Sequence, residues 1–167
     1  MNQVVEGIPI PTHAPFSPSG FKRKELCPAS HRAEKPFPNT SSAPAIDGTH
    51  THTLVEMSII HNKPPSFYIG VTLTDHEGEF VVGKERADRA NMAIAYVNNQ
   101  VKASAFPVFV TPEQRVDPGS LLFRNDWYGT ADIEMIFADV PDNETFSSNQ
   151  IKWIVVADYK DGAQPVD

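Results

Sequence analysis

Proline is spread so unevenly that one kind of structure cannot run the length of this chain. Eight of the fifteen prolines (Pro9, Pro11, Pro15, Pro18, Pro28, Pro36, Pro38 and Pro44) fall within the first 48 residues. Proline fixes φ and removes an amide donor, which denies such a segment a helix interior or a central strand. Residues 1–48 therefore read as an extended arm, partly polyproline II, with a reach of about 3.1 Å per residue. Charge follows the same division. The arm nets +1 and residues 49–167 net −8, which gives the chain its −7.

The arm carries six large apolar residues, Ile8, Ile10, Phe16, Phe21, Leu26 and Phe37, at irregular intervals. They share no helical or strand period, so they read as anchors for pockets on another surface. Burying each gains about 1.5–3 kcal/mol, whereas fixing each backbone residue costs about 1–2 kcal/mol. Six anchors do not order 48 residues on their own, and neighbouring chains are expected to supply the remaining contacts. Lys22-Arg23-Lys24 adds a basic cluster suited to an acidic neighbouring body. The overall acidity argues against nucleic acid as the main partner.

From about Thr51 the pattern changes to period two. Val55, Met57 and Ile59 alternate with polar residues in Thr51–Ile60; Phe67, Ile69, Val71 and Leu73 do so in Ser66–Thr74. Asp75-His76-Glu77-Gly78 reads as a turn that returns Glu79–Val82 as a hairpin partner. Phe106–Val110, Ser120–Arg124, Ala131–Val140 and Gln150–Tyr159 complete seven or eight strands, the pattern of an antiparallel β-sandwich. One helix interrupts them at Lys84–Asn98, where Ala87, Ala90, Ala93, Ile94 and Val97 form a stripe and Glu85 can pair with Arg89. A single helix inserted in such a domain resembles the layout of viral jelly rolls. The expected organisation is an arm over 1–48 and a mainly β, jelly-roll-like domain over 49–167.

The sharpest cluster of chemistry-bearing residues is His50-Thr51-His52-Thr53-Leu54-Val55-Glu56. HxH followed by a glutamate looks like the first metal-binding motif of cupins, which implies a small barrel with His50, His52 and Glu56 as ligands. In an unbroken strand Glu56 lies about 13 Å from His52, at roughly 3.3 Å per residue, too far for one ion. The second cupin motif is absent, and we expect no joint metal site from the three. Asp139, Asp142, Asn143 and Glu144 are calcium-type ligands without EF-hand spacing and read as a solvated acidic turn. Trp127-Tyr128-Gly129 offers a ring pair that, if exposed, suits sugar or protein recognition. Cys27 is the one cysteine. It excludes an intrachain disulfide, and on an arm it lacks the rigid setting a nucleophile needs.

No GxSxG, phosphate-cradling glycine loop, dinucleotide fingerprint or HExxH is present. The sequence thus reads as non-enzymatic, without a cofactor and without a membrane span. Its first residues lack the basic start and apolar run of a secretory signal, so synthesis in a cytoplasm is expected. The function that fits these readings is a structural subunit of a large assembly, most naturally a virus or phage capsid, shell or decoration. Its arm would tie neighbouring protein subunits together in the virion. The alternative is a cupin-like barrel binding a small molecule or sugar, metal-dependent if His50, His52 and Glu56 converge.

Overall fold

The computed structural model describes residues 22, 24–34, 41–116, 128–140 and 145–160. They form helices α1 (Ser30–Glu34), α2 (Ala43–Ile60) and α3 (Lys84–Ala103), with strands β1 (Thr72–Asp75), β2 (Gly78–Val81), β3 (Val108–Val116), β4 (Gly129–Ala138) and β5 (Ile151–Ala157). β1 and β2 make a two-stranded sheet, and the second sheet has the order β3-β4-β5. This is a mixed α/β architecture. It overturns the expected seven- or eight-stranded sandwich: the described residues hold five strands in two small sheets, which close neither a jelly roll nor a barrel. The expected strand Ser120–Arg124 lies outside the described residues.

The largest departure is α2, which contains the segment expected as the first strand. Ser42 caps it by accepting the Ala45 amide (3.4 Å), and Pro44 sits in the first turn, where its missing donor does no harm. The β-branched residues that suggested a strand are accommodated by hydrogen bonding back along the helix. Thr49 Oγ1 donates to the Ala45 carbonyl, Thr51 Oγ1 to Asp47 and Thr53 Oγ1 to Thr49, at 3.0–3.2 Å. The buried positions are His50, Thr51, Leu54, Val55 and Ser58, a helical stripe rather than an alternation. Burial on the core outweighs local β preference. The helix begins at Ala43, inside the stretch assigned to the arm.

The expected strand Ser66–Thr74 is also shorter than its alternation suggested. Pro64-Pro65 starts a single 3₁₀ turn, Pro65–Tyr68, and the extended chain begins only at β1. β1 and β2 then pair antiparallel with Leu73 opposite Phe80. Asp75 Oδ1 accepts the Glu77 amide (2.8 Å), and Gly78 takes φ 129°, a backbone angle that glycine alone adopts without strain.

α3 presents Ala87, Ala90, Ala93 and Val97 to the core and runs five residues beyond the expected end. Asp47 on α2 joins the two helices, receiving Arg86 (2.5 Å) and Arg89 (2.7 Å). Arg89 reaches Glu85 as well, at 3.6 Å. β4 and β5 pair antiparallel with Phe137 opposite Trp153 and Ile133 opposite Ala157. Leu54 and Val55, Leu73 and Phe80, the α3 alanines, and Ile133, Met135 and Phe137 form one core cluster.

The chain forms two compact units: Met1–Asn39 with Arg115–Thr130, and Thr40–Gln114 with Ala131–Asp167. In the first, the Arg115 guanidinium lies 3.8 Å from the ring centre of buried Tyr128. The core cluster belongs to the second. No helix among the described residues is long and apolar enough to cross a membrane.

Candidate metal centre

Helical geometry separates the two histidines that a strand would have placed together. Residues two apart on a helix point to opposite sides, whereas residues four apart share a face. His50 is buried and turns toward the hairpin: Nδ1 lies 2.7 Å from Asp75 Oδ2, and the ring stacks on Phe80 at 4.1 Å. Thr53 Oγ1 donates to the same Asp75 oxygen (3.2 Å). These contacts use His50 to fasten α2 to the β1–β2 hairpin. Asp75 is pushed up by burial, but His50 and the Glu77 amide outweigh this and hold it below the usual carboxylate range.

His52 faces the larger sheet. Its Nδ1 is 3.4 Å from Asp132 Oδ1 on β4 and 4.0 Å from Glu113 Oε1 on β3. One donor atom from each of His52, Glu113 and Asp132 falls within 4.8 Å of the others, a spacing that a single ion spans. Glu56, one turn beyond His52, lies near enough for its charge to act on Glu113. The helix has thus shortened the 13 Å strand separation to about 6 Å of rise, at roughly 1.5 Å per residue.

Each ligand is held from a different element. Asp132 follows Gly129-Thr130-Ala131 on β4, and its Oδ2 accepts the Tyr159 amide at 2.6 Å. Asp158, just beyond β5, lies near enough to act on the Asp132 carboxyl, helping to hold its pKa down. Lys160 Nζ lies 2.7 Å from Asp158, with both side chains exposed. Glu113 follows Pro112 and takes φ 49°, a left-handed backbone uncommon for a side-chain-bearing residue and enriched at functional sites.

The electrostatics are those of crowded anions around one imidazole. The Asp132 hydrogen bond raises the His52 pKa against the effect of burial, with Glu113 and the Tyr159 backbone adding to it. Burial and the neighbouring Asp132 push Glu113 up. Burial also lifts Asp132, but the hydrogen bond and charge of His52 more than reverse this and leave it low. A cation would offset the crowding that raises Glu113 and would take the place of the proton on His52 beside Asp132. Carboxylates and water suit Mg²⁺ and Mn²⁺, while imidazole draws transition ions, so Mn²⁺ satisfies the whole donor set.

Opposite pH trends follow for the metal-free and metal-bound protein. A raised His52 pKa means the His52–Asp132 pair stabilises the metal-free fold below about pH 6.5 and loses that contribution as pH rises through the folded value. Metal must displace the imidazole proton, so its affinity rises over the same range. Mn²⁺ titrations between about pH 5.5 and 8 are expected to show binding that tightens up to tenfold per pH unit below the His52 pKa. A flat profile would remove His52 from the ligand set.

Among the residues singled out in the sequence, His52 and Glu56 come together near this centre and His50 does not. Ile8, Ile10, Phe16, Phe21, Arg23 and Phe37 lie outside the described residues, as do Trp127, Asp142, Asn143 and Glu144. Lys22, Leu26 and Cys27 are exposed and Lys24 is half-buried. Asp139 forms an ion pair with Lys152 at 3.0 Å. Sequence reasoning did not single out Glu113, Asp132, Asp158 or Lys160. The available signal was Asp158-Tyr159-Lys160, a charged break at the end of an apolar strand.

Fold and site together define an α/β chain with a histidine–carboxylate cluster between a helix and the end of a sheet. By sequence, the chain belongs to the family described as "Protein of unknown function (DUF2800)", whose pattern it matches over residues 13–163. That description names no activity. No curated protein and no solved structure matches the chain.

Proposed function

We infer that this chain is a divalent-metal protein whose centre hydrolyses a phosphate ester. The observation that carries this reading is the convergence of His52, Glu113 and Asp132 from a helix and two strands onto one ion-sized space. Mg²⁺ and Mn²⁺ held by few protein carboxylates keep open positions that water and substrate phosphate oxygens fill. A bound divalent ion lowers the pKa of its water and polarises the phosphoryl oxygen. Asp158 lies beside Asp132, where it can orient that water, and Lys160 offers an ammonium to the phosphate at the exposed rim. His52, Glu113 and Asp132 would hold the ion, whose chemistry there would be to activate a water for attack on phosphorus, with the P–O ester bond breaking and the water's proton passing to the departing oxygen.

The test is hydrolysis of bis(p-nitrophenyl) phosphate, p-nitrophenyl phosphate and linear DNA, with and without Mn²⁺. Metal-dependent turnover that EDTA abolishes and Glu113→Gln reduces by about a hundredfold is expected, given the several kcal/mol that metal-ion catalysis supplies. Mn²⁺ bound stoichiometrically without turnover on any of the three would leave a metal protein and discard the hydrolase.

A second reading, a subunit of a large assembly such as a virus or phage capsid, draws support from the proline-rich composition and apolar anchors of residues 1–48. It no longer has the support of a jelly-roll body. The native mass of the same preparation separates the two readings, since a capsid subunit assembles into a large particle.

A further inference from the structure

Tyr159 touches two of the three residues that converge at the centre, His52 and Asp132. Its amide donates to Asp132 Oδ2 at 2.6 Å. Its ring lies against the His52 imidazole, with centres 5.5 Å apart and planes tilted by 47°. Its hydroxyl donates to the Arg89 carbonyl on α3 at 3.0 Å. One residue just past β5 is therefore tied to a β4 ligand, an α2 ligand and the helix behind them.

We propose that Tyr159 is a positioning residue for the metal centre, setting the mutual orientation of His52 and Asp132 through its amide, ring and hydroxyl. Metal ligands need partners that fix their rotamers, and loss of such a partner typically costs 10–100-fold in affinity. Asp132 alone can rotate about two side-chain bonds. The Tyr159 amide occupies one of its oxygens and leaves the other turned toward His52. The ring limits rotation of the imidazole. The hydroxyl ties the residue that supplies the amide to α3, two positions past the last paired strand residue, Ala157. Positioning thus comes from the short link between strand end and helix rather than from a further charged group.

This proposal rests on the metal-centre reading, and its test is arranged so that the two fail differently. In the wild-type protein, a Mn²⁺ titration reports on the centre itself: no binding sinks the centre. The Tyr159 amide, followed by hydrogen exchange in the metal-free protein, reports on positioning without any metal. It should be protected in wild type and exchange faster in Tyr159→Phe. With metal, Tyr159→Phe is expected to raise the Mn²⁺ Kd about threefold to tenfold, and Tyr159→Leu, which also loses the ring, about 10–100-fold. The Co²⁺ absorption spectrum should change with Tyr159→Leu, since ligand angles change. Should Tyr159→Leu fail to fold, Tyr159→Phe alone decides, because it keeps the ring and removes one oxygen. Wild-type Kd, Co²⁺ spectrum and amide protection in a folded Tyr159→Phe protein would overturn the proposal.

Discussion

Asp132→Ala is expected to weaken Mn²⁺ binding by at least about a hundredfold, more than any other single change at the centre. Loss of a mere supporting partner costs 10–100-fold, and Asp132 is both a ligand and the partner of another ligand. Its carboxylate faces His52 at 3.4 Å while holding the Tyr159 amide at 2.6 Å. Removing it deletes one donor atom, frees the imidazole and leaves the amide without its acceptor. The last effect should also lower stability by about 0.5–1.5 kcal/mol, the net worth of a typical hydrogen bond, since Tyr159 is half-buried. Asp132→Asn separates the contributions: the amide oxygen can still accept from Tyr159, but the charge is gone. Isothermal titration with Mn²⁺ reads the affinity and urea unfolding the stability. Binding within threefold of wild type in folded Asp132→Ala would exclude Asp132 as a ligand.

Phe137→Ala should be the most damaging substitution for the fold, at about 3–5 kcal/mol. Phe137 is 2% exposed, pairs with Trp153 across β4 and β5, and stacks on that ring at 4.8 Å. No side chain elsewhere in the core is free to move into so large a void without leaving its own contacts. Domains are stable by only about 5–15 kcal/mol, so the variant should lie close to unfolding at ordinary temperature. Val156→Ala on the same β5 pairing is the control. Val156 is 59% exposed, and its truncation should stay within about 0.5 kcal/mol. Urea midpoints for the two proteins check both numbers, and similar midpoints would contradict the placement of Phe137 in the core.

The sequence made some elements legible because local preference and tertiary burial agree there. β4 alternates, with Ile133, Met135 and Phe137 buried on one face, and α3 shows its alanine stripe at helical spacing, whereas on β5 Trp153, expected inward, is exposed. α2 was hidden because preference and burial disagree: threonine, valine and isoleucine suggested a strand, whereas Ser42, Pro44 and the packing of Leu54 and Val55 impose a helix. That single misreading carried the site with it. Under strand parity His50, His52 and Glu56 share a face and lie too far apart; on the helix His52 and Glu56 approach and His50 leaves. Asp132 looked like an ordinary outward position because it alternates with buried Ala131 and Ile133. Glu113 gave no pattern at all, since a left-handed turn after Pro112 breaks the strand period that would have placed it.

The wide spacing of the site in sequence has a consequence for synthesis. His52 is made early, but Asp158 and Tyr159 emerge about a hundred residues later. At about 5–20 residues per second a ribosome needs roughly 5–20 seconds to cover that distance. During that interval the nascent chain displays His52 and Glu56 without the β5 end that locks Asp132. On the metal-centre reading, ion binding would therefore be a late event that follows the joining of β5 to β4.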